Sequence, residues 1–117
     1  MTVRRIVANL PANDTGKAAA FYRDLLGLDV LMDLGWITTF GGKTPAPVQV
    51  SVATEGGSGT PVPHLSIEVD DVDAIHARAQ KLGFQIAYPL TTEPWGVRRF
   101  YVRDPLGNLI NIVAHSE

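Results

Sequence analysis

Apolar and polar positions alternate in Arg5-Ile6-Val7-Ala8-Asn9-Leu10, with Ile6, Ala8 and Leu10 set against Arg5, Val7 and Asn9. A period of two reads as a strand with one apolar face. Asp14 then offers a helix N-cap ahead of residues 17–26. There Ala18, Phe21 and Leu25, with Tyr22 beside them, share a helical face, and Gly27 terminates it. Strands are predicted next over 28–32, 36–40 and 48–53, the last delayed by Pro45 and Pro47. The pattern then recurs. His64–Val69 alternates with Leu65, Ile67 and Val69 on one side, and Asp71 is the matching cap. Val72, Ile75, Ala79 and Leu82 form the helical stripe, and Gly83 ends it. Strands are expected around 85–88, 98–102 and 109–114.

Asp14 and Asp71 lie 57 positions apart, and the pairs Leu26-Gly27 and Leu82-Gly83 lie 56 apart. Each half therefore reads βαβββ, and one such unit alone cannot cover its hydrophobic face. The expected fold is α+β: two tandem units, about 3–54 and 62–115, in a single domain spanning 1–117. Glu55–Pro63, rich in glycine and then proline, is the linker, since neither residue continues a strand or helix well. Helices should lie on the outer faces of curved mixed sheets, leaving the other faces to enclose a cleft.

Composition narrows the function. The chain has 117 residues, 45% hydrophobic and 19% charged, enough for a real core. Without cysteine there is no disulfide, thiolate metal site or cysteine nucleophile. The formal charge is -2 and the basic residues are scattered, so no nucleic-acid partner is expected. No apolar run approaches the roughly 18 residues of a membrane span. The N-terminal apolar stretch is too short for a signal peptide, so a cytoplasmic setting is expected. Gly56-Gly57-Ser58-Gly59 lacks the Lys-Ser/Thr and following helix of a phosphate-binding loop.

Several motifs, in order, resemble the vicinal-oxygen-chelate superfamily of glyoxalase I, extradiol dioxygenases, and fosfomycin- and bleomycin-resistance proteins. Asn9-Leu10-Pro11, Asp14, Phe21-Tyr22 and Leu26-Gly27 resemble the opening of its bleomycin-resistance branch. Val69-Asp70-Asp71-Val72-Asp73-Ala74 resembles the strand-to-helix junction of the second unit. Pro94-Trp95-Gly96, Arg98, Phe100 and Asp104-Pro105-Leu106-Gly107-Asn108 resemble the final hairpin. That last run also has a plain structural explanation as a turn, with Pro105 presetting φ and Gly107 allowing a positive one. Fold analogy by itself assigns no chemistry.

The resemblance implies where metal-dependent members hold a divalent ion: on the first and last strands of each unit, through His or Gln and Glu. His64, seven positions before Asp71, matches one such place. The equivalent position before Asp14 is Val7, which has no lone pair. Asn111 stands where the last strand would carry Glu, and Gln49 and Ser51 offer no carboxylate on the first unit's last strand. A shifted register would recruit only Asn9 or Glu68. A catalytic metal needs about three protein donors, so no metal and no cofactor are expected.

Alternation places other side chains toward the cleft. If Phe100 and Val102 pack under the helices, Arg99, Tyr101 and Arg103 turn the other way, as do Leu109, Asn111 and Val113 opposite Ile110 and Ile112. His64 lies opposite Leu65 and faces the cleft too, although a histidine at a strand start also serves as a simple hydrogen-bonding group. The candidate ligand-binding set is therefore His64, Trp95, Arg99, Tyr101, Asn111 and Trp36, with Ser51 and Asn9; no catalytic residue is assigned. Flat apolar surfaces with a few polar anchors suit a small organic ligand. Tryptophan in so small a protein equally serves a core or an interface. A homodimer is implied by the resemblance.

The first functional expectation is a small-molecule binder similar to the bleomycin-resistance proteins, with a metal-free cleft. Its alternatives are a metal-dependent glyoxalase-like lyase, isomerase or dioxygenase using His64 and a nonstandard ligand set, and a metal-free enzyme. In the latter His64 is the general base and Arg99 stabilises an oxyanion.

Overall fold

In the computed structural model, residues 2–42 and 48–115 are described; Pro45 and Pro47 lie outside them. Eight strands run β1 (Val3–Pro11), β2 (Asp29–Asp33), β3 (Ile37–Gly42), β4 (Val48–Ala53), β5 (Leu65–Val69), β6 (Ile86–Glu93), β7 (Val97–Arg103) and β8 (Leu109–His115). Helix α1 (Val72–Lys81) follows β5, and short helical turns follow β1. By packing, the chain divides into Val7–Val62 and a unit formed by Met1–Ile6 with Pro63–Glu117. Both carry the same α+β plan, three antiparallel strands joined by one parallel pairing.

In the Pro63–Glu117 unit the strand order is β5-β8-β7-β6, with β5 parallel to β8 and the rest antiparallel. Asp71 caps α1 as expected: its carboxylate accepts the Ala74 N–H at 3.1 Å. Val72 and Ala79 bury against Val69, Phe100, Ile110 and Ile112, which is the core of this unit. The predicted stripe thus meets the alternating apolar face of the sheet, but Leu82 stays exposed at the end of the helix. The His76 ring meets Phe100 edge-on, with centroids 4.9 Å apart. The chain's first residues join this unit through the Asp70 N–H to the Thr2 carbonyl at 3.2 Å and an Arg5–Glu68 ion pair at 3.6 Å.

The Asp104–Asn108 turn is as read from sequence. Asp104 accepts the backbone N–H groups of Leu106 and Asn108, each at 2.9 Å, and Gly107 takes φ 85°. These bonds, led by the Asn108 side chain, hold the Asp104 carboxyl below its ordinary 3.8.

In the Val7–Val62 unit the order is β2-β3-β4-β1, with β1 parallel to β4. Two expectations are corrected here. The first is the inward face of β1: Val7 and Asn9 are buried, whereas Ile6, Ala8 and Leu10 are exposed. Apolar residues occupy both faces of this strand, so periodicity alone did not choose, and pairing places Asn9 beside Ser51 in a buried polar row. The second is the helix over 17–26. Asp14 does accept the Gly16 N–H at 2.8 Å, but it starts a 3₁₀ turn, Thr15–Lys17, followed by a π-helical turn, Ala20–Leu25. The Leu26 N–H reaches the Phe21 carbonyl, five residues back, at 3.2 Å. This wider winding breaks the 3.6-residue register that aligned Phe21 with Leu25. Both are exposed, at 52% and 67%, while Tyr22 turns inward to stack on Phe40 with centroids 5.3 Å apart.

Candidate functional site

The face of the β5-β8-β7-β6 sheet turned away from α1 carries the chemistry. Because side chains alternate, putting Phe100, Ile110 and Ile112 under the helix puts Arg99, Tyr101 and Asn111 on this opposite face. Register then aligns them: Ser66 opposite Asn111, Asn111 opposite Tyr101, and Tyr101 opposite Tyr88.

Arg99, 3% exposed, is the centre of the cluster. Its Nη2 lies 2.7 Å from Glu93 Oε2 and its Nε donates to the same oxygen at 2.8 Å. Its Nη1 donates to the Tyr101 hydroxyl at 3.0 Å. The Tyr88 hydroxyl donates to Glu93 at 3.2 Å. Around the guanidinium stand the rings of Tyr88, Trp95 and Tyr101, with centroids 5.0–5.2 Å from Cζ. A buried cation is thus neutralised by a carboxylate and wrapped by aromatic faces. Arg99 was expected to meet a ligand carboxylate or an oxyanion; here the chain supplies the carboxylate itself.

Glu93 was missed in the sequence. The strand predicted over 85–88 stops at Tyr88 because Pro89 follows, yet β6 continues to Glu93. It does so as an edge strand, where proline is tolerated, with register shifts between Ile86 and Tyr88 and between Tyr88 and Thr91. The second shift helps bring Tyr88 opposite Tyr101 and Glu93 opposite Val97, so that both reach Arg99. The signal was a carboxylate six positions before an arginine across a tight Pro94-Trp95-Gly96 turn.

Asn111, 7% exposed, donates through Nδ2 to Ser66 Oγ at 3.0 Å. Its Oδ1 is buried with no hydrogen-bond partner. An acceptor left so is costly, on the order of 1–3 kcal/mol, unless something fills it.

His64 precedes β5 and is exposed. Its N–H bonds the Leu109 carbonyl at 2.8 Å, and its Nδ1 accepts the Leu109 N–H at 3.2 Å. An accepting Nδ1 puts the proton of a neutral ring on Nε2. Presenting an Nε2 lone pair to a metal or a substrate proton would require Nδ1–H, pointed at the Leu109 N–H. In a ligand or base role the His64 ring would give up its bond to the Leu109 N–H. Among the described residues no group of three or more His, Cys, Asp or Glu is placed to hold a metal ion. Among the described residues, those at the family's ligand places, His64, Val7, Asn111, Gln49 and Ser51, include no carboxylate for a divalent ion.

Of the other predicted residues, Asn9 and Ser51 sit opposite each other in the Val7–Val62 unit, both buried, and Ser51 Oγ lies 2.7 Å from Thr39 Oγ1. Trp36 is half-buried at the turn before β3, its carbonyl accepting the Thr54 N–H at 2.9 Å. The structure therefore brings together Trp95, Arg99, Tyr101 and Asn111 in one unit, and Asn9 with Ser51 in the other.

Tandem βαβββ units with a polar, aromatic-lined sheet face define a protein of vicinal-oxygen-chelate architecture. The Glyoxalase/Bleomycin resistance protein/Dioxygenase superfamily profile matches residues 5–112, and the chain belongs to that superfamily. No curated protein matches it in sequence. Among solved structures it is similar to a Legionella pneumophila protein described as an NAD-dependent benzaldehyde dehydrogenase. That pair has 21% identity, coverage of 96% of this chain and 100% of the other, and TM-score 0.77. It is also similar to Streptomyces coelicolor methylmalonyl-CoA epimerase in complex with 2-nitronate-propionyl-CoA, at 18% identity, 99% and 100% coverage and TM-score 0.72. A third is a glyoxalase/bleomycin resistance protein/dioxygenase superfamily member from Vibrio splendidus 12B01, at 20% identity, 97% and 99% coverage and TM-score 0.65. At these identities the likeness is one of fold. Among the described residues no helix is long and apolar enough to cross a membrane.

Proposed function

We propose that this chain is a metal-free small-molecule-binding protein of the bleomycin-resistance kind, cytoplasmic in setting. Its ligand is received on the sheet face that carries Asn111, Ser66 and Tyr101. The observation that carries this reading is the buried, unpartnered Asn111 Oδ1. It calls for a hydrogen-bond donor, and the adjoining rings call for a flat apolar body. The ligand class is accordingly an aromatic or heteroaromatic compound bearing N–H or O–H. Arg99 and Glu93 hold the aromatic wall rigid and take no part in exchange with the ligand.

Equilibrium dialysis against aromatic amines, phenols and glycopeptides tests this. At least one should bind below millimolar concentration, and Asn111→Leu should weaken it by roughly 10-fold or more, the worth of one buried hydrogen bond. Failure of the whole panel, or unchanged affinity in Asn111→Leu, would refute it. We further propose a homodimer. The support is the exposed apolar segment of the Val7–Val62 unit, where Phe21, Leu25, Leu26, Leu31 and Met32 all remain open.

A further inference from the structure

A second site lies on the other side of the same sheet. Along α1 and the sheet of the Pro63–Glu117 unit runs an open groove of about 270 Å³. Ile75, Ala79 and Leu82 line it from the helix, and Phe100, Val102 and Ile112 from the sheet. Arg78, Arg103 and Asp104 also contribute, yet the lining is almost wholly apolar. The arginines therefore contribute their aliphatic stems and carry their charge at the rim.

The groove opens to solvent, and an exposed apolar concavity of this kind is a site for an apolar guest. An engineered apolar cavity of about 150 Å³ holds benzene, so by proportion this one holds roughly ten carbon atoms.

The rim charges select the head group. The Asp104 carboxylate is spent within its own turn on Leu106, Asn108 N–H and the Asn108 side chain. Arg103 gives Nη1 to the Gly107 carbonyl at 3.0 Å. The Arg78 side chain makes no hydrogen bond or ion pair among the described residues, while its carbonyl accepts the Leu82 N–H at 3.0 Å. An uncommitted cation over an apolar slot complements an amphipathic monoanion.

We propose that this groove binds a carboxylate with an apolar body of about ten carbons, the body along α1 and the sheet and the carboxylate against Arg78. Either a medium-chain fatty acid or a bicyclic aromatic acid has this chemistry.

Decanoate and 2-naphthoate, titrated calorimetrically into the full chain, separate the two sources. At least one should bind saturably below 1 mM and more tightly than its uncharged alcohol. Arg78→Glu, at an exposed position with no partner to lose, should weaken binding at least about fivefold. Ala79→Leu fills the slot and should abolish binding; should that variant fail to fold, Arg78→Glu decides alone. Asn111→Leu should leave both titrations unchanged, so that failure here and failure of the sheet-face reading are distinct. Absence of binding by both acids, or equal affinity in Arg78→Glu, overturns the proposal.

Discussion

Removing the charge of Glu93 tests the physics of the aromatic cluster directly. In Glu93→Gln the volume is kept, and an amide oxygen still accepts from Arg99 or Tyr88. The guanidinium, with side chains of the pair only 4% and 3% exposed, loses its counter-charge where water cannot replace it. Breaking a buried pair from one side costs about 3–5 kcal/mol. The retained amide acceptor and three aromatic faces place this variant at the lower end, about 3 kcal/mol. With unfolding entropy near 2.1 cal/mol/K per residue, a chain of this length loses roughly 12 °C in Tm. Urea titration followed by far-UV circular dichroism and by tryptophan fluorescence measures it, since Trp95 stacks on the same guanidinium. The double variant Glu93→Leu/Arg99→Met removes both charges and should lie within about 1 kcal/mol of the parent, or above it. Two results would refute the reasoning. Glu93→Gln losing less than about 1 kcal/mol would mean that water reaches the pair. The double variant falling below Glu93→Gln would mean that the pair is a net source of stability.

Two further outcomes are expected. The Asp104 carboxyl is held low in the folded chain by Asn108, so its contribution is fully present above the ordinary 3.8 and is lost as pH falls through the folded value. The urea midpoint of the parent should therefore fall as pH drops below the ordinary carboxylate value, and Asp104→Asn should flatten that slope; an identical slope in both counts against the turn's role. Sedimentation equilibrium should give twice the chain mass for the parent and a shift toward the single chain for Leu25→Glu, whose residue is 67% exposed. A parent that stays single at all concentrations sinks the homodimer.

Much of the fold was legible in the sequence because local signals agreed with packing in the C-terminal half. Asp71, the Val72–Ala79 stripe and the alternation of β7 and β8 all pointed to one arrangement, and the observed faces follow them. The Val7–Val62 unit was harder. Alternation over residues 5–10 made Ile6, Ala8 and Leu10 the apolar face, yet Val7 on the other side is apolar too, and it is the Val7–Asn9 side that is buried. Residues 17–26 keep helical composition, yet wind as 3₁₀ and π turns that rotate Phe21 and Leu25 into solvent. Winding of that kind depends on which carbonyl each N–H finds, and periodicity does not encode it. For the candidate site, alternation placed Arg99, Tyr101 and Asn111 correctly on one face. It missed Glu93, because a strand crossing Pro89 needs a bulge that only the pairing partner reveals.

Glu93 changes what the arginine can do, and that shapes the functional reading. An arginine among aromatics suggests anion capture when its counter-ion is unknown. Once Nε and Nη2 are bound to Glu93 and Nη1 to Tyr101, an incoming carboxylate would have to displace a buried ion pair. It would leave Glu93 charged and unpaired, a penalty of several kcal/mol that no single new contact repays. His64 is committed in the same way, through Nδ1 and the Leu109 N–H. Among the described residues, the buried side-chain atom left without a hydrogen-bond partner is neutral: the Asn111 carbonyl oxygen. A face whose charges are paired within the chain and whose unmet acceptor is neutral is the ground on which the proposed binding role rests, and the Asn111→Leu titration is its test.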